Sequence, residues 1–333
     1  MTEQRIVVGF ESALSFWRGA RVGAAECPEE TPEGRVYGVG SPDLADRARV
    51  ALGQCSVDSP LEVVIPDRSG RHGCELICDH VWRGPLSSAH LHGLGGDVSV
   101  CRPAAVFSQM ATVLDQIELL ELAFELTGAY GLSPGSEEGF ESGMRPLATV
   151  EELVEYASAA RALGTRGARS ALEALELVVP GSKSPRETDV AIFLEFGRVR
   201  GGADLGGFRL NERVRLPEPL ARKMGQLSIE PDFSWPNGTV VEYDSEVWHR
   251  SAERRAHDEA KRRAYKSVGM DCLTLTKGMV ADEFLLEGFV EDLTASLGIR
   301  RRPASPQMLA ARQDLLARLF GHGAHRGDGS LCN

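Results

Sequence analysis

The chain has 333 residues, of which 42% are hydrophobic and 26% are charged, and its formal net charge is −11. This composition is typical of folded globular domains and excludes a fibrous or largely disordered chain. The negative net charge disfavours indiscriminate binding of nucleic acid, because its long-range field repels phosphate. A nucleic-acid role therefore requires a local basic surface.

The cysteine count and the apolar runs indicate the compartment. Seven cysteines, an odd number spread over a long chain, favour reduced thiols over a disulfide framework. No apolar run approaches the roughly 20 residues that span a bilayer. The first twenty residues are interrupted by Glu11 and lack a signal-peptide cleavage pattern. We therefore expect a cytoplasmic protein with no membrane contact.

Residues 1–102 are predicted to form a mixed α/β region. Ser12 is the predicted N-cap of a short helix over 13–20, and Ser41 the predicted N-cap of a helix that starts at Pro42. The segments LEVVIPD and CELICDHVW, residues 61–67 and 74–82, are predicted strands.

Residues 103–178 are predicted to form a helical region. Two packed helices are expected between Pro103 and Gly128 from their apolar spacing. Residues 132–146, rich in Gly, Ser and Glu, are predicted to be a surface loop. Thr149 and Glu152 then form a capping-box pair ahead of a helix, and a further short helix is predicted over 168–178.

The stretch VPGSKSP, residues 179–185, is the predicted main boundary. Residues 179–300 are expected to form one domain, and 301–333 a C-terminal helix and tail. Within that domain Ser184 and Pro185 are predicted to start the first helix. The segments NERVRL, LSIEPDFSW, TVVEYDS and DCLTLT are predicted strands, and 252–269 and 279–298 predicted helices. The expected fold class is therefore α/β (α+β).

The predicted hairpin at 230–249, EPDFSWPNGTVVEYDSEVWH, contains Asp232, Glu242 and Asp244 among its acids. Glu242 and Asp244 are two residues apart, so they share one face of a strand. A three-residue loop over 236–238 pairs Trp235 with Thr239 and sets Asp232 opposite Glu242. A two-residue Asn-Gly loop is the competing register, and it would pair Asp232 with Tyr243. We favour the three-residue loop because Pro236 fits it.

Three carboxylates brought together in this way need a counter-charge, since their mutual repulsion raises their pKa values unless a cation binds. Hard oxygen ligands select Mg²⁺ or Mn²⁺ over zinc. The predicted metal ligands are Asp232, Glu242 and Asp244, and such a metal can activate water for attack on a phosphodiester.

A local basic surface follows the hairpin. Residues 250–269 carry seven Lys or Arg against three Asp or Glu. His249 lies close enough to Asp244 along the chain to act as an acid, a base or a phosphate contact. The predicted contacts to the DNA backbone are Lys261, Arg262, Arg263 and Lys266. Alternatively, these basic residues form a solvent-exposed helix face with no role in binding, because Glu253, Asp258 and Glu259 offer local ion-pair partners.

The run from Ser184 to Thr276 resembles the PD-(D/E)xK restriction-endonuclease-like superfamily, in the branch near the very-short-patch repair endonucleases. The matching pieces are SPRE, PDFSWP, VVEYDSEVWH, HDEAKRRAYKSVG and CLTLT. The resemblance implies a central mixed sheet flanked by helices. It also implies that Asp232, Glu242 and Asp244 are the metal and catalytic acids, Glu187 an accessory acid and His249 an active-site histidine.

One position departs from the usual pattern of that superfamily. Asp244 stands where a lysine is usual, two residues after the second acid, although the related branch also places an acid there. Lys277 or Lys266 is then a candidate to orient the attacking water. The preceding segment, with RPAAVFSQMA and its helices, resembles abortive-infection antitoxin-type proteins of actinobacteria that carry such a domain at their C-terminus.

Two functions remain open from the sequence. The first is metal-dependent hydrolysis of DNA by an endonuclease or nickase in defence or DNA processing, with a protein partner at the N-terminal region. The alternative is a catalytically degenerate, nucleic-acid-binding or antitoxin-like regulator, because a fold can outlast its chemistry.

Overall fold

The computed structural model describes residues 5–23, 42–53, 60–71, 75–95, 97–244 and 252–321, with the backbone alone for 42–44 and 252–258. The chain divides into two compact units, one ending at Val178 and the other beginning at Val179. Both contain helices and strands, as expected for a mixed α/β protein. No helix in the described ranges combines the length and the apolar character needed to cross a bilayer.

The N-terminal unit contains a five-stranded mixed sheet. Its order is β3-β2-β1-β5-β4, in which β1 runs parallel to β5 and β2 runs parallel to β3, while the β1–β2 and β4–β5 pairs are antiparallel. The strands are β1 Ile6–Val8, β2 Leu61–Ile65, β3 Ile77–Val81, β4 Leu91–Gly93 and β5 Val98–Cys101, followed by a short β6–β7 hairpin, Tyr130–Leu132 with Phe140–Ser142.

The described residues of this unit also form six α-helices, which share one apolar core with the sheet. They are α1 Phe10–Arg21, α2 Pro42–Ala51, α3 Pro103–Met110, α4 Gln116–Thr127, α5 Val150–Ala162 and α6 Ala168–Leu175. Residues 1–102 and 103–178, treated as two regions in the sequence, therefore lie in one unit. The predicted capping box of Thr149 and Glu152 at α5 is confirmed.

The predicted role of Ser12 as an N-cap is wrong. Helix α1 begins three residues earlier than predicted, at Phe10, with Gly9 as its N-cap. The Ser12 hydroxyl instead accepts a hydrogen bond from the Glu62 backbone N–H at 3.1 Å. Ser12 therefore ties the first turn of α1 to strand β2, and a tertiary contact replaces the local cap.

The C-terminal unit contains a four-stranded sheet of order β13-β12-β11-β8 and a two-stranded β9–β10 ribbon. Strand β11 is antiparallel to both β8 and β12, whereas β12 and β13 are parallel and are connected through α9. The strands are β8 Arg209–Leu210, β9 Val214–Arg215, β10 Ser228–Ile229, β11 Phe233–Ser234, β12 Thr239–Asp244 and β13 Asp271–Thr276.

The helices of this unit are α7 Pro185–Glu195, α8 Glu218–Met224, α9 Ala252–Ser267, α10 Lys277–Ala281, α11 Glu283–Ser296 and α12 Pro306–Phe320. The predicted start of α7 is confirmed, since the Ser184 hydroxyl accepts from the Glu187 backbone N–H at 3.1 Å. The single helix predicted over 279–298 is wrong. Asp282 accepts from the backbone N–H groups of Phe284 and Leu285 and starts a new helix, α11.

Candidate active site

The turn between β11 and β12 has three residues, as predicted. The Trp235 N–H donates to the Thr239 carbonyl at 2.9 Å, and Phe233 pairs with Val241. Continuing this register by one residue sets Asp232 opposite Glu242. Gly238 has a φ of 91°, the left-handed conformation that the loop requires. The predicted three-residue loop is therefore confirmed, and the two-residue alternative is excluded.

Asp232 lies immediately before β11, with its carboxylate directed toward β12. Its Oδ2 accepts from the Tyr243 backbone N–H at 2.7 Å. Burial, followed by the negative charges of Glu242 and Glu187, raises the pKa of this carboxyl to about 7. Asp232 therefore titrates near neutral pH and lies within the electrostatic reach of two other acids.

Glu242, on β12, is held by two residues of α9. Its Oε2 lies 2.6 Å from the Lys261 ammonium, and its Oε1 accepts from the Tyr265 hydroxyl. The side chains of Glu242 and Lys261 are 18% and 30% exposed, so this ion pair is recessed but reached by solvent. Burial raises the pKa of Tyr265, and the neighbouring Glu242 charge raises it further. Lys261 thus supplies an internal counter-charge for Glu242.

Glu187 lies in the first turn of α7 and is tied to the chain around it. Its Oε2 accepts from the Lys183 backbone N–H at 2.9 Å and from the Asn211 amide at 2.7 Å. Burial raises the pKa of Glu187. The backbone N–H of Asn211 donates to the Asp232 carbonyl at 3.1 Å, so Asn211 connects the α7 start to the acid-bearing strand.

Asp244 lies at the end of β12, level with Thr276 on β13. Its Oδ2 is buried, and it shares a strand face with Glu242 because the two are two residues apart. The two acids that most raise the pKa of Asp232 are Glu242 and Glu187. The acid group around Asp232 therefore includes Glu187, which the sequence treated as accessory. His249 lies outside the described residues.

The four basic residues predicted to contact DNA occupy different environments on α9. Lys261 pairs with Glu242, whereas Arg262 donates to the Thr274 hydroxyl at 3.2 Å. Arg263 pairs with Glu259 at 3.2 Å on the exposed surface, and Lys266 is exposed in the last turn. Lys261 is thus the ammonium beside the acids, rather than the Lys266 or Lys277 considered from the sequence.

The carboxylates of Asp232 and Glu242 suit a hard cation in their chemistry. Mg²⁺ commonly takes one or two protein carboxylates and completes its shell with water and substrate oxygens. The raised pKa of Asp232 marks a place where a cation would relieve repulsion. No group of three His, Cys, Asp or Glu among the described residues has metal-holding geometry. Because Lys261 is paired with Glu242, a cation bound by Asp232 and Glu242 would have to compete with the Lys261 ammonium.

Sequence reasoning missed the roles of Tyr265 and Asn211 and assigned Lys261 to DNA alone. Lys261 and Tyr265 are four residues apart, so they share one face of α9. Helix α9 connects the parallel strands β12 and β13, so this face of the helix lies against the sheet beside Glu242. The i, i+4 pairing of a cation with a tyrosine was therefore the readable signal. Asn211 carried no such signal, since its contacts depend on its φ of 52°.

Comparison of the chain with protein-family models, curated proteins and solved structures finds no match.

Proposed function

We propose that the C-terminal unit is a PD-(D/E)xK-like, metal-dependent endonuclease or nickase that hydrolyses DNA phosphodiesters in the cytoplasm, in defence or DNA processing. The N-terminal unit would then serve recognition or bind a protein partner. The observation that carries the proposal is the hairpin register, because it sets the half-buried Asp232 opposite Glu242, which in turn pairs with Lys261.

The order of elements supports this assignment. Helix α7, strands β8, β11 and β12, helix α9 and strand β13 follow one another, and the four strands form one mixed sheet. The short β9–β10 ribbon and α8 are inserted before β11. The family resemblance implies a mixed sheet flanked by helices, and a mixed sheet with helices before, between and after its strands is compatible with that expectation. Fold alone does not establish chemistry, so the residues have to carry the activity.

Each residue of the site has a chemical role in the proposal. Asp232 and Glu242 would hold Mg²⁺ or Mn²⁺, which supplies charge neutralisation and an activated water. Asp244 is the proposed third ligand and would have to turn toward the cation, because no three acids among the described residues have metal-holding geometry. The charge of Glu187 raises the pKa of Asp232. The Lys261 ammonium can move from Glu242 to a phosphate oxygen once a cation replaces it. Tyr265 keeps Glu242 oriented through its O–H donor.

Nicking of supercoiled plasmid with Mg²⁺ or Mn²⁺ tests the proposal. The parent should nick the plasmid, whereas EDTA, Asp232→Asn and Glu242→Gln should each reduce the rate by about 10²–10⁴-fold. The matched control is Glu291→Gln, which removes an exposed carboxylate of α11 and should keep the parental rate. Circular dichroism of each variant verifies folding. Parental nicking by both site variants, or no nicking with either metal, would refute the proposal.

One observation favours the alternative regulator. Both Glu242 oxygens are already taken, by Lys261 and Tyr265, which is the arrangement expected if the acid is a structural group. In that case duplex DNA should bind without cleavage, and Asp232→Asn and Glu242→Gln should leave the affinity unchanged. A gel-shift titration with both variants distinguishes the regulator from the nuclease.

A further inference from the structure

Three arginines from separate segments of the C-terminal unit lie close together. Arg198 belongs to a short 3₁₀ turn, Arg198–Arg200, Arg301 to the segment between α11 and α12, and Arg312 to α12. Burial lowers the pKa of Arg301, and the positive charges of Arg198 and Arg312 lower it further. Arg301 is therefore within electrostatic range of two other guanidinium groups.

The Arg301 guanidinium has donors without acceptors. Its Nε, Nη1 and Nη2 atoms are all shielded from solvent, and none has a hydrogen-bond partner in the described part of the chain. The Nε atoms of Arg198 and Arg312 share this condition. The other ends of those two side chains are engaged: Arg198 donates to the Arg302 carbonyl at 2.7 Å, and Arg312 pairs with Glu287. Five unmatched donor nitrogens thus occur within one cationic cluster.

The fold holds this cluster in place. Gly201 ends the 3₁₀ turn with a φ of 91°, and a Cβ there would collide with the Ala311 carbonyl of α12. Glycine therefore permits the close approach that brings Arg198 to α12. Arg312 is 3% exposed and lies over the Phe193 ring at 6.0 Å. Two of the three guanidinium groups are thus fixed by backbone and core contacts.

The nearby carboxylates do not accept hydrogen bonds from the unmatched guanidinium nitrogens of the cluster. Glu287 and Asp204 act on Arg301 with weaker effect than the two arginines, and Glu287 is already paired with Arg312. Buried donors without acceptors are unfavourable, and more so when they carry charge. Guanidinium forks match the oxygens of phosphate or carboxylate in paired geometry. A tetrahedral oxyanion offers enough acceptors for several forks at once.

We propose that Arg198, Arg301 and Arg312 form a binding site for a phosphate group, separate from the Asp232–Glu242 acids. Water does not reach the Arg301 nitrogens, so binding requires this half-buried side chain to turn toward solvent, where the phosphate supplies its acceptors. The site does not depend on hydrolysis at the acids. The phosphate can belong to a DNA backbone or to a free anion, since both present the same oxygens.

Thermal unfolding with inorganic phosphate, against sodium chloride at equal ionic strength, tests the site. Phosphate at several times its Kd should raise the Tm of the parent by about 2–4 °C more than chloride does. Arg301→Gln should abolish the difference, and Arg301→Lys should reduce it because a single ammonium lacks the fork. The control Arg302→Gln removes a neighbouring exposed guanidinium and should keep the full difference.

The proposal would be overturned if phosphate raised the Tm of the parent and of both Arg301 variants equally. It would also be overturned if phosphate had no more effect than chloride on the parent and the Arg301 variants kept the DNA affinity of the parent. A gel shift with duplex DNA identifies the source of the phosphate. Affinity lost in the Arg301 variants but kept in Arg302→Gln assigns the site to a DNA phosphate, whereas unchanged affinity alongside a phosphate effect on Tm assigns it to a free anion. Neither result depends on plasmid nicking.

Discussion

Replacing Asp232 with Asn should change how the stability of the C-terminal unit depends on pH. The ordinary pKa of an Asp carboxyl is 3.8, and the folded chain raises that of Asp232 to about 7. Between these values the folded state holds a proton that the unfolded state has lost, so the free energy of unfolding falls as pH rises. The Asp232 contribution is fully present below pH about 4 and is lost as pH passes through about 7.

The magnitude follows from the size of the shift. Each pKa unit corresponds to about 1.4 kcal/mol, so the whole shift corresponds to about 4 kcal/mol. About 3 kcal/mol of that should be lost between pH 5 and pH 8. Asparagine keeps an oxygen for the Tyr243 N–H but carries no proton that titrates. Between pH 5 and pH 8 the parent should therefore lose about 3 kcal/mol more of its free energy of unfolding than Asp232→Asn loses.

Urea unfolding in EDTA at pH 5, 6, 7 and 8, followed by tryptophan fluorescence and circular dichroism, measures this difference. Trp235 is buried beside the hairpin and reports on this unit. The control Glu291→Gln should follow the parental curve. Parallel curves for the parent and Asp232→Asn across this range would mean that Asp232 is not desolvated beside Glu242, and the reasoning behind the acid site would be wrong.

Three further substitutions test other parts of the structure by urea unfolding. Tyr265→Phe removes the O–H donor to Glu242 and should cost about 1–3 kcal/mol. Gly238→Ala should cost about 1–3 kcal/mol, because φ is 91° and a Cβ would lie 3.2 Å from the Gly269 carbonyl oxygen. Arg18→Met leaves the Glu125 carboxylate, 5% exposed, without its paired guanidinium and should cost about 3–5 kcal/mol.

Matched controls separate these effects from general disturbance. Gly207→Ala also has a positive φ but open space around its Cβ, so it should cost less than Gly238→Ala. Arg169→Met breaks an exposed pair with Glu173 and should change stability by less than about 1 kcal/mol. Equal costs for Arg18→Met and Arg169→Met would contradict the buried-pair assignment. A Tyr265→Phe variant as stable as the parent would contradict the Glu242 contact.

Local signals predicted much of the fold. Ser184 with Pro185, and Thr149 with Glu152, start helices because their side chains satisfy backbone N–H groups only a few residues away. The hairpin register was also local, since loop length and Gly238 determine it. Ser12 failed as a cap because its hydroxyl bonds to Glu62, 50 residues distant in the chain. Propensity cannot anticipate such a contact.

The site was predictable in part for the same reason. Asp232 and Glu242 are neighbours across a short turn, so their pairing follows from strand geometry alone. Lys261 and Tyr265 reach Glu242 only through the α9 crossover, and Glu187 joins through the conformation of Asn211. These contacts depend on how helices pack on the sheet, which the order of residues does not specify by itself.

The parallel pairing of β12 with β13 also determines when the acid group can exist. Lys261 and Tyr265 lie 19 and 23 positions after Glu242, and the strand that carries their helix back follows later still. Pairings that close long loops form late, because chain entropy has to be lost before the contact forms. We therefore expect the acid-bearing hairpin to form before Lys261 reaches Glu242. The charge balance of the acid group is then a property of the folded C-terminal unit and not of the hairpin alone.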